Sequence, residues 1–180
     1  YAVGWAGEPD AGTAVVSPAV RQYLDHPSFE WKCERTEHFN ICVEPQFESD
    51  HYIKTLKRNV ERDRAQVLSV AGADSYDPLI NVFLVRSRNR LKDLIGFDGD
   101  GRSRPHQHTI FSVVTPYRLH LTHEISHEVL TNIWGVAEPW IEEGVAVYAT
   151  ESLTVDQHCS HWMTSGQLVP LPKLVNADWN

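Results

Sequence analysis

Apolar positions along the chain follow two spacings, one typical of helices and one typical of strands. Between 49 and 71, apolar residues recur at helical spacing with charged residues between them, which predicts a long amphipathic helix. The run LINVFLV at 79–85 is nearly all apolar and predicts a buried central strand. Two shorter runs, at 29–35 and 39–44, predict the strands of a hairpin that turns at 36–38.

Capping residues mark the ends of shorter elements. Ser17 precedes a proline, which predicts a short helix from there to about Leu24. Ser87 caps a predicted helix that ends at Gly96. A polar loop is expected at 97–107, and a strand at 108–114.

Two longer helices are predicted in the second half of the chain. The first begins at Thr115 and runs to about Trp134, where Gly135 stops it. Pro139 begins the second, which runs to about Thr150. This order of strands and helices predicts an α+β fold.

Composition and charge narrow the classes of protein. The 180 residues are 42% hydrophobic and 22% charged, which excludes intrinsic disorder. The net charge of -8 argues against nucleic acid as a partner, because phosphate binding requires clustered Lys and Arg. No apolar stretch of about 18 residues is present, so we expect no transmembrane segment. The start at Tyr1, with Met163 as the only methionine, indicates a processed or trimmed N-terminus.

Three cysteines bear on the cellular compartment. In the predicted hairpin, a turn at 36–38 places Cys33 opposite Cys42, which predicts a cross-strand disulfide and leaves Cys159 free. Such a bond indicates an extracytoplasmic or secreted protein. The alternative is a pair of reduced, half-buried thiols.

The segment His123-Glu-Ile-Ser-His127 carries the candidate chemistry. Histidines four residues apart lie on one side of a helix, so both imidazoles can reach one zinc ion at about 2.0–2.1 Å. Glu124 follows the first histidine and can act as general base on a metal-bound water. The alternative is a helix whose His and Glu side chains face solvent.

A third ligand is expected on the next helix. The connection between the two helices is short, which favours antiparallel packing and brings a carboxylate of the second helix towards the histidines. Glu142 and Glu143 both lie in this segment. Adjacent helical residues point about 100° apart, so only one of them can face the metal.

The two motifs together resemble those of the gluzincin metallopeptidases, specifically the peptidase MA-like group. That family combines H-E-x-x-H with P-W-x-x-E-G-x-A, and this chain has HEISH followed by PWIEEGVA. The resemblance implies one Zn²⁺ held by His123, His127 and Glu143, with Glu124 as the catalytic base. It also implies a zincin-like fold, with a small twisted mixed sheet over the active-site helix and a second helix carrying the third ligand.

The resemblance covers roughly residues 36–175. We expect an N-terminal arm and short helix at 1–28 and a zincin-like domain at 29–180, whose C-terminal subdomain we expect to be truncated. On the second helix, Trp140, Glu143 and Val147 share one side, which we expect to face inward. The family's oxyanion-stabilising residue has no marked counterpart here. Tyr148, His158 and His161 are the candidates.

Other histidines and acids carry secondary hypotheses. His120 is a possible fourth ligand, and the cluster at 156–161 is a possible further metal site. His106 and His108 are expected to be exposed. The acidic residues of the 97–107 loop suggest calcium, although an ordinary turn is the alternative.

These observations predict a zinc-dependent peptidase that hydrolyses peptide bonds with Glu124 as general base. The substrate is a peptide or protein, which can pair as an added strand with the predicted edge strand at 108–114. One alternative is a zinc-binding but catalytically weak or inactive domain used for partner binding. Another is a structural domain without metal.

Overall fold

The protein is described by a computed structural model that covers residues 17–47, 51–114 and 121–150. This part forms a five-stranded mixed sheet with helices on both faces, which confirms the α+β class. The helices are α1 (Pro18–Leu24), α2 (His51–Ala71), α3 (Arg88–Ile95), α4 (Leu121–Trp134) and α5 (139–150), and the strands are β1 (Lys32–Arg35), β2 (Phe39–Val43), β3 (Ile80–Val85), β4 (Gly101–Arg104) and β5 (Thr109–Val113).

The predicted caps begin and end the helices as expected. The Ser17 hydroxyl accepts a hydrogen bond from the Val20 N–H at 3.3 Å, and Ser87 caps α3 in the same way. Gly96 and Gly135 follow α3 and α4 with φ of 73° and 87°, a left-handed conformation that glycine adopts without steric cost. The predicted start of α4 at Thr115 lies outside the described residues.

The strand order is β1-β2-β3-β5-β4, with the three central strands parallel and the two outer ones antiparallel to their neighbours. The prediction of an edge strand at 108–114 is therefore wrong, because β5 pairs with both β3 and β4. The edge strand next to β5 is β4, which lies within the predicted polar loop at 97–107. Its sequence, GRSR, lacks the apolar residues by which a buried strand is recognised.

Each face of the sheet has its own hydrophobic core. On one face, α2 and α4 pack over the sheet through residues such as Val60, Ile125 and Val129. On the other, α1 and α3 contribute Val20 and Leu91. None of the helices in the described residues is long and apolar enough to cross a membrane.

The β1–β2 hairpin carries the predicted disulfide. Cys33 and Cys42 occupy facing positions and are bonded, with their Cα atoms 4.0 Å apart. Cys42 is fully buried in the second core, whereas Cys33 lies on the exposed strand β1. The bond therefore joins the edge strand to the core of the sheet.

Candidate metal centre

Helix α4 presents two pairs of polar side chains on neighbouring sides. Because successive helical residues point about 100° apart, residues spaced by four share a side. His123 and His127 form one pair and face α5, whereas Glu124 and Glu128 form the other and face β4. The arrangement separates the candidate ligands from the candidate base.

The two histidines and Glu143 converge on one point. The Nε2 atoms of His123 and His127 are 3.1 Å apart. One carboxylate oxygen of Glu143 lies 3.2 Å from Nε2 of His123, and the other lies 3.4 Å from Nε2 of His127. Potential ligand atoms of the three residues lie within 4.8 Å of one another, so the group can hold a metal ion.

The start of α5 explains why Glu143 rather than Glu142 reaches the histidines. The backbone carbonyl of Glu138 accepts the first hydrogen bonds of the helix, and the Glu142 carboxylate turns back to accept from the Ala137 N–H at 3.0 Å. Glu142 is thereby occupied at the beginning of its own helix. Glu143 points to the neighbouring side, over α4.

The side of α5 expected to face inward does so only in part, since Trp140 is half-buried but Val147 is not. Val147 is 43% exposed and the Glu143 side chain is 54% exposed, whereas Ala146 and Ala149 are fully buried. Small alanine side chains allow the backbone of α5 to pack closely on the core, and this places Glu143 at the margin of the interface. The carboxylate therefore faces both the histidines and solvent.

Burial affects the protonation of His127. It lowers the pKa of His127, although the nearby carboxylates of Glu143 and Glu142 oppose that change. A lowered pKa favours the neutral imidazole, which is the form that binds a metal. The electrostatics and the geometry are thus both compatible with metal binding.

Glu124 lies under the edge strand in a nearly closed environment. Its residue is 7% exposed, and burial, together with the negative charge of Glu143, raises its pKa to about 8. Arg102 and a hydrogen bond from the backbone N–H of Ser103 oppose the increase. A Cβ at Gly101 would lie 2.5 Å from Oε1 of Glu124, so a side chain at this position would displace the Glu124 carboxylate.

Glu128 is a second buried carboxylate that the sequence motifs did not reveal. It is fully buried, and its Oε1 accepts hydrogen bonds from Tyr76 Oη and His108 Nδ1, both at 2.9 Å. Its Oε2 lies 3.4 Å from Oγ of Ser103 on β4. His108 is only partly exposed, because Glu128 and Tyr76 hold Nδ1 of its ring while 37% of the side chain remains accessible. The available signal in the sequence was that Glu128 lies four residues after Glu124, which places both on the same side of α4.

Of the remaining candidates, Tyr148 and His106 lie among the described residues, and neither belongs to the metal group. Tyr148 is 46% exposed and lies five positions after Glu143, about 140° around α5. His120, His158 and His161, with the cluster at 156–161, lie outside the described residues. His106 is exposed, as expected.

The acidic residues proposed for calcium form ion pairs instead. Asp98 lies 3.3 Å from Nζ of Lys92, and Asp100 pairs with Arg88. Neither belongs to a group of potential metal ligands among the described residues. An ordinary turn, the alternative interpretation, agrees with these contacts.

Comparison with protein-family models, with curated proteins and with solved structures gave no match to this chain. The resemblance to the gluzincins therefore depends on the two sequence motifs alone, and the function has to be argued from the site.

Proposed function

We propose that the protein is a zinc-dependent peptidase of gluzincin-like architecture, with His123, His127 and Glu143 as metal ligands and Glu124 as general base. The observation that carries the proposal is the buried carboxylate of Glu124 beside a convergent group of two imidazoles and one carboxylate. A structural zinc site has no need of such a base, and it usually has four protein ligands rather than three.

The spacing of the candidate ligand atoms suits zinc. Ligands bound tetrahedrally at about 2.0–2.1 Å are separated from one another by about 3.3–3.4 Å. The two Nε2 atoms are 3.1 Å apart, and different oxygens of Glu143 lie 3.2 Å from His123 and 3.4 Å from His127. With one ligand atom taken from each residue, the three atoms lie within 4.8 Å of one another. Two nitrogens and one oxygen are also a donor set that catalytic zinc sites use, with a fourth position left for water or substrate.

The roles of the chain's own groups follow from their positions. When bound, zinc supplies a polarised substrate carbonyl and a water of lowered pKa. Glu124 would accept a proton from that water as the water oxygen bonds to the carbonyl carbon, and would pass the proton to the amine nitrogen as the C–N bond breaks. Burial under β4 keeps this carboxylate away from bulk water, so few solvent molecules compete for its proton-accepting oxygens.

The edge strand β4 is the element that can orient a substrate. Among the described residues, β4 pairs only with β5, so its other side is available to an extended peptide. It passes directly over Glu124 at Gly101. An extended peptide or protein substrate paired with β4 would therefore lie along the candidate base.

The disulfide favours an extracytoplasmic or secreted location, because such bonds persist in oxidising compartments.

The second candidate function is a zinc-binding domain that is catalytically weak or inactive and binds a partner. The proximity of Ser103 to Glu124 favours it, since a base already hydrogen-bonded to the backbone is less available for water.

The deciding experiment combines metal analysis with digestion of a mixed peptide library. We expect about one zinc per chain and cleavage that a chelator abolishes and zinc restores. Zinc binding without cleavage of any peptide would favour the partner-binding alternative. Absence of zinc binding would reject both.

A further inference from the structure

The face of α4 that turns towards β4 carries a carboxylate for which the proposed reaction has no use. Glu128 is fully buried, and it lies on a different side of the helix from His123 and His127. A buried carboxylate is strongly unfavourable unless donors saturate its oxygens. Its partners therefore indicate what it holds in place.

Glu128 Oε1 accepts a hydrogen bond from Asn132 Nδ2 on its own helix at 3.3 Å, and its other three partners come from segments that are distant in sequence. Tyr76 precedes β3, Ser103 lies in the middle of β4, and His108 ends the turn that joins β4 to β5. Glu128 and these three residues are termed the Glu128 cluster. Two of its members belong to one β4–β5 hairpin, so the carboxylate ties that hairpin to α4 at two points.

The hydrogen bonds of the cluster are mutually consistent. Tyr76 has one hydroxyl proton, which it donates to Glu128 at 2.9 Å. The Nδ1 atom of His108 lies 2.8 Å from the Tyr76 hydroxyl and 2.9 Å from Glu128, so it carries a proton directed towards both. His108 also has a φ of 48°, which is uncommon for a residue with a side chain. The turn thus holds the imidazole against α4 despite an unfavourable backbone conformation.

Ser103 connects the Glu128 cluster to the candidate active site. Its hydroxyl lies against Glu128, and its backbone N–H donates to Glu124. Gly101, two residues earlier and on the same side of β4, packs directly on the Glu124 carboxylate. Contacts with both Glu124 and Glu128 therefore fix the distance between β4 and the candidate base.

We propose that Glu128 is a positioning residue: through Ser103 and His108 it fixes the edge strand β4 above Glu124, in the register in which an extended substrate meets the metal group. This inference rests on the proposed function and adds to it the residue that aligns the substrate-binding strand. Glu128 acts through β4 and touches neither metal nor substrate.

The test uses Ser103→Ala, which removes the hydroxyl contact and keeps the backbone N–H. Ser112→Ala is the matched control, since Ser112 lies in the same hairpin but its hydroxyl contacts the backbone of Asp100 and not α4. Hydrogen exchange of the β4 amides should be faster by roughly fivefold in Ser103→Ala, as expected for the loss of one hydrogen bond. Glu128→Gln should increase exchange in β4 and in the turn at 105–108.

Activity provides the second measurement. For a peptide long enough to pair along β4, kcat/KM of Ser103→Ala should fall at least about fivefold further than for a blocked dipeptide, mainly through KM. If the role of Ser103 were merely structural, kcat/KM would fall by the same factor for both substrates. Equal losses, or β4 exchange identical to that of Ser112→Ala, would overturn the proposal.

The outcomes also separate this inference from the proposed function. If the wild-type protein binds zinc but cleaves no peptide, the peptidase proposal is rejected. The proposal that β4 aligns a substrate is then rejected as well. Faster β4 exchange in Ser103→Ala would then show only that the cluster holds the strand. If Glu128→Gln fails to fold, Ser103→Ala still decides.

Discussion

At the scale of single residues, two adjacent glutamates have different surroundings. Glu143 contacts both histidines, whereas Glu142 accepts a hydrogen bond from the Ala137 N–H at the start of α5. Glu143→Ala should therefore weaken zinc binding by more than about tenfold, since loss of a ligand costs at least as much as loss of an outer partner. A competitive chelator titration measures the change.

Glu142→Gln is the matched control, because the amide oxygen retains the bond to Ala137. Its zinc affinity should stay within about twofold of wild type, whereas Glu142→Ala adds the loss of the cap. Weaker zinc binding in Glu142→Gln than in Glu143→Ala would exchange the two assignments.

Glu124 is the residue whose replacement separates turnover from metal binding. Glu124→Gln keeps the shape of the side chain, so zinc should remain bound. It loses the ability to accept a proton, and kcat should fall by about 10²–10⁴. Steady-state kinetics at matched zinc occupancy tests this expectation, and unchanged peptidase activity would remove Glu124 from the mechanism.

At the scale of elements, helix α2 is joined to the β1–β2 hairpin by Glu61. Its Oε1 accepts from Thr36 Oγ1 at 2.6 Å and from the His38 N–H at 3.0 Å, and its Oε2 lies 2.8 Å from His38 Nδ1. Burial alone would raise the pKa of Glu61, but these hydrogen bonds and the nearby His38 together lower it below its ordinary value of 4.5.

The lowered pKa gives this contact a defined pH dependence. The stabilisation is complete above pH 4.5, the ordinary pKa, and is lost as the pH falls through the lower pKa of the folded state. Glu61→Gln should reduce the free energy of unfolding by about 1–2 kcal/mol at neutral pH. Urea denaturation should show the difference from wild type shrinking below about pH 4.

Glu37→Gln provides the comparison for Glu61. The Glu37 side chain is 82% exposed and its carboxylate lies 3.9 Å from the ring of His38. An exposed pair at this distance contributes little, so the variant should unfold like wild type. A pH-independent effect of Glu61→Gln would contradict the assignment of its stabilising charge.

The elements that could be predicted are those whose buried residues form a local pattern in the sequence. Strand β3 is buried on both faces and α2 on one side, so each has a local pattern. Strand β4 is a short edge strand held by its neighbours, and its four residues carry no such pattern. The inward side of α5 was only partly predicted, because small alanines, not the largest side chains, form the packed surface.

The same distinction applies to the candidate site. His123, Glu124 and His127 lie within one helical turn, where spacing alone determines which side chains meet. Apart from Asn132 on the same helix, the partners of Glu128 are 20 to 52 residues away, and only the sheet brings them together. A contact that depends on strand order cannot be inferred from a local motif.

At the scale of the whole molecule, the metal group joins α4 to α5 and should couple zinc binding to folding. The three ligand side chains converge only in the native arrangement, so zinc binds the folded chain in preference to the unfolded one. Free zinc at about 100 times its Kd should then stabilise the protein by about 2.7 kcal/mol. For a chain of this size, the Tm should rise by about 5–10 °C.

Thermal unfolding with and without zinc measures this increase, and a chelator should reverse it. His127→Ala is the deciding variant, since it removes one ligand while Glu124→Gln removes none. The increase in Tm should therefore persist in Glu124→Gln and disappear in His127→Ala. It should also diminish in acid, because the imidazoles bind metal only when they are neutral. An equal increase in His127→Ala would mean that zinc stabilises the protein from another site, and the convergence of α4 and α5 at Glu143 would then need a different explanation.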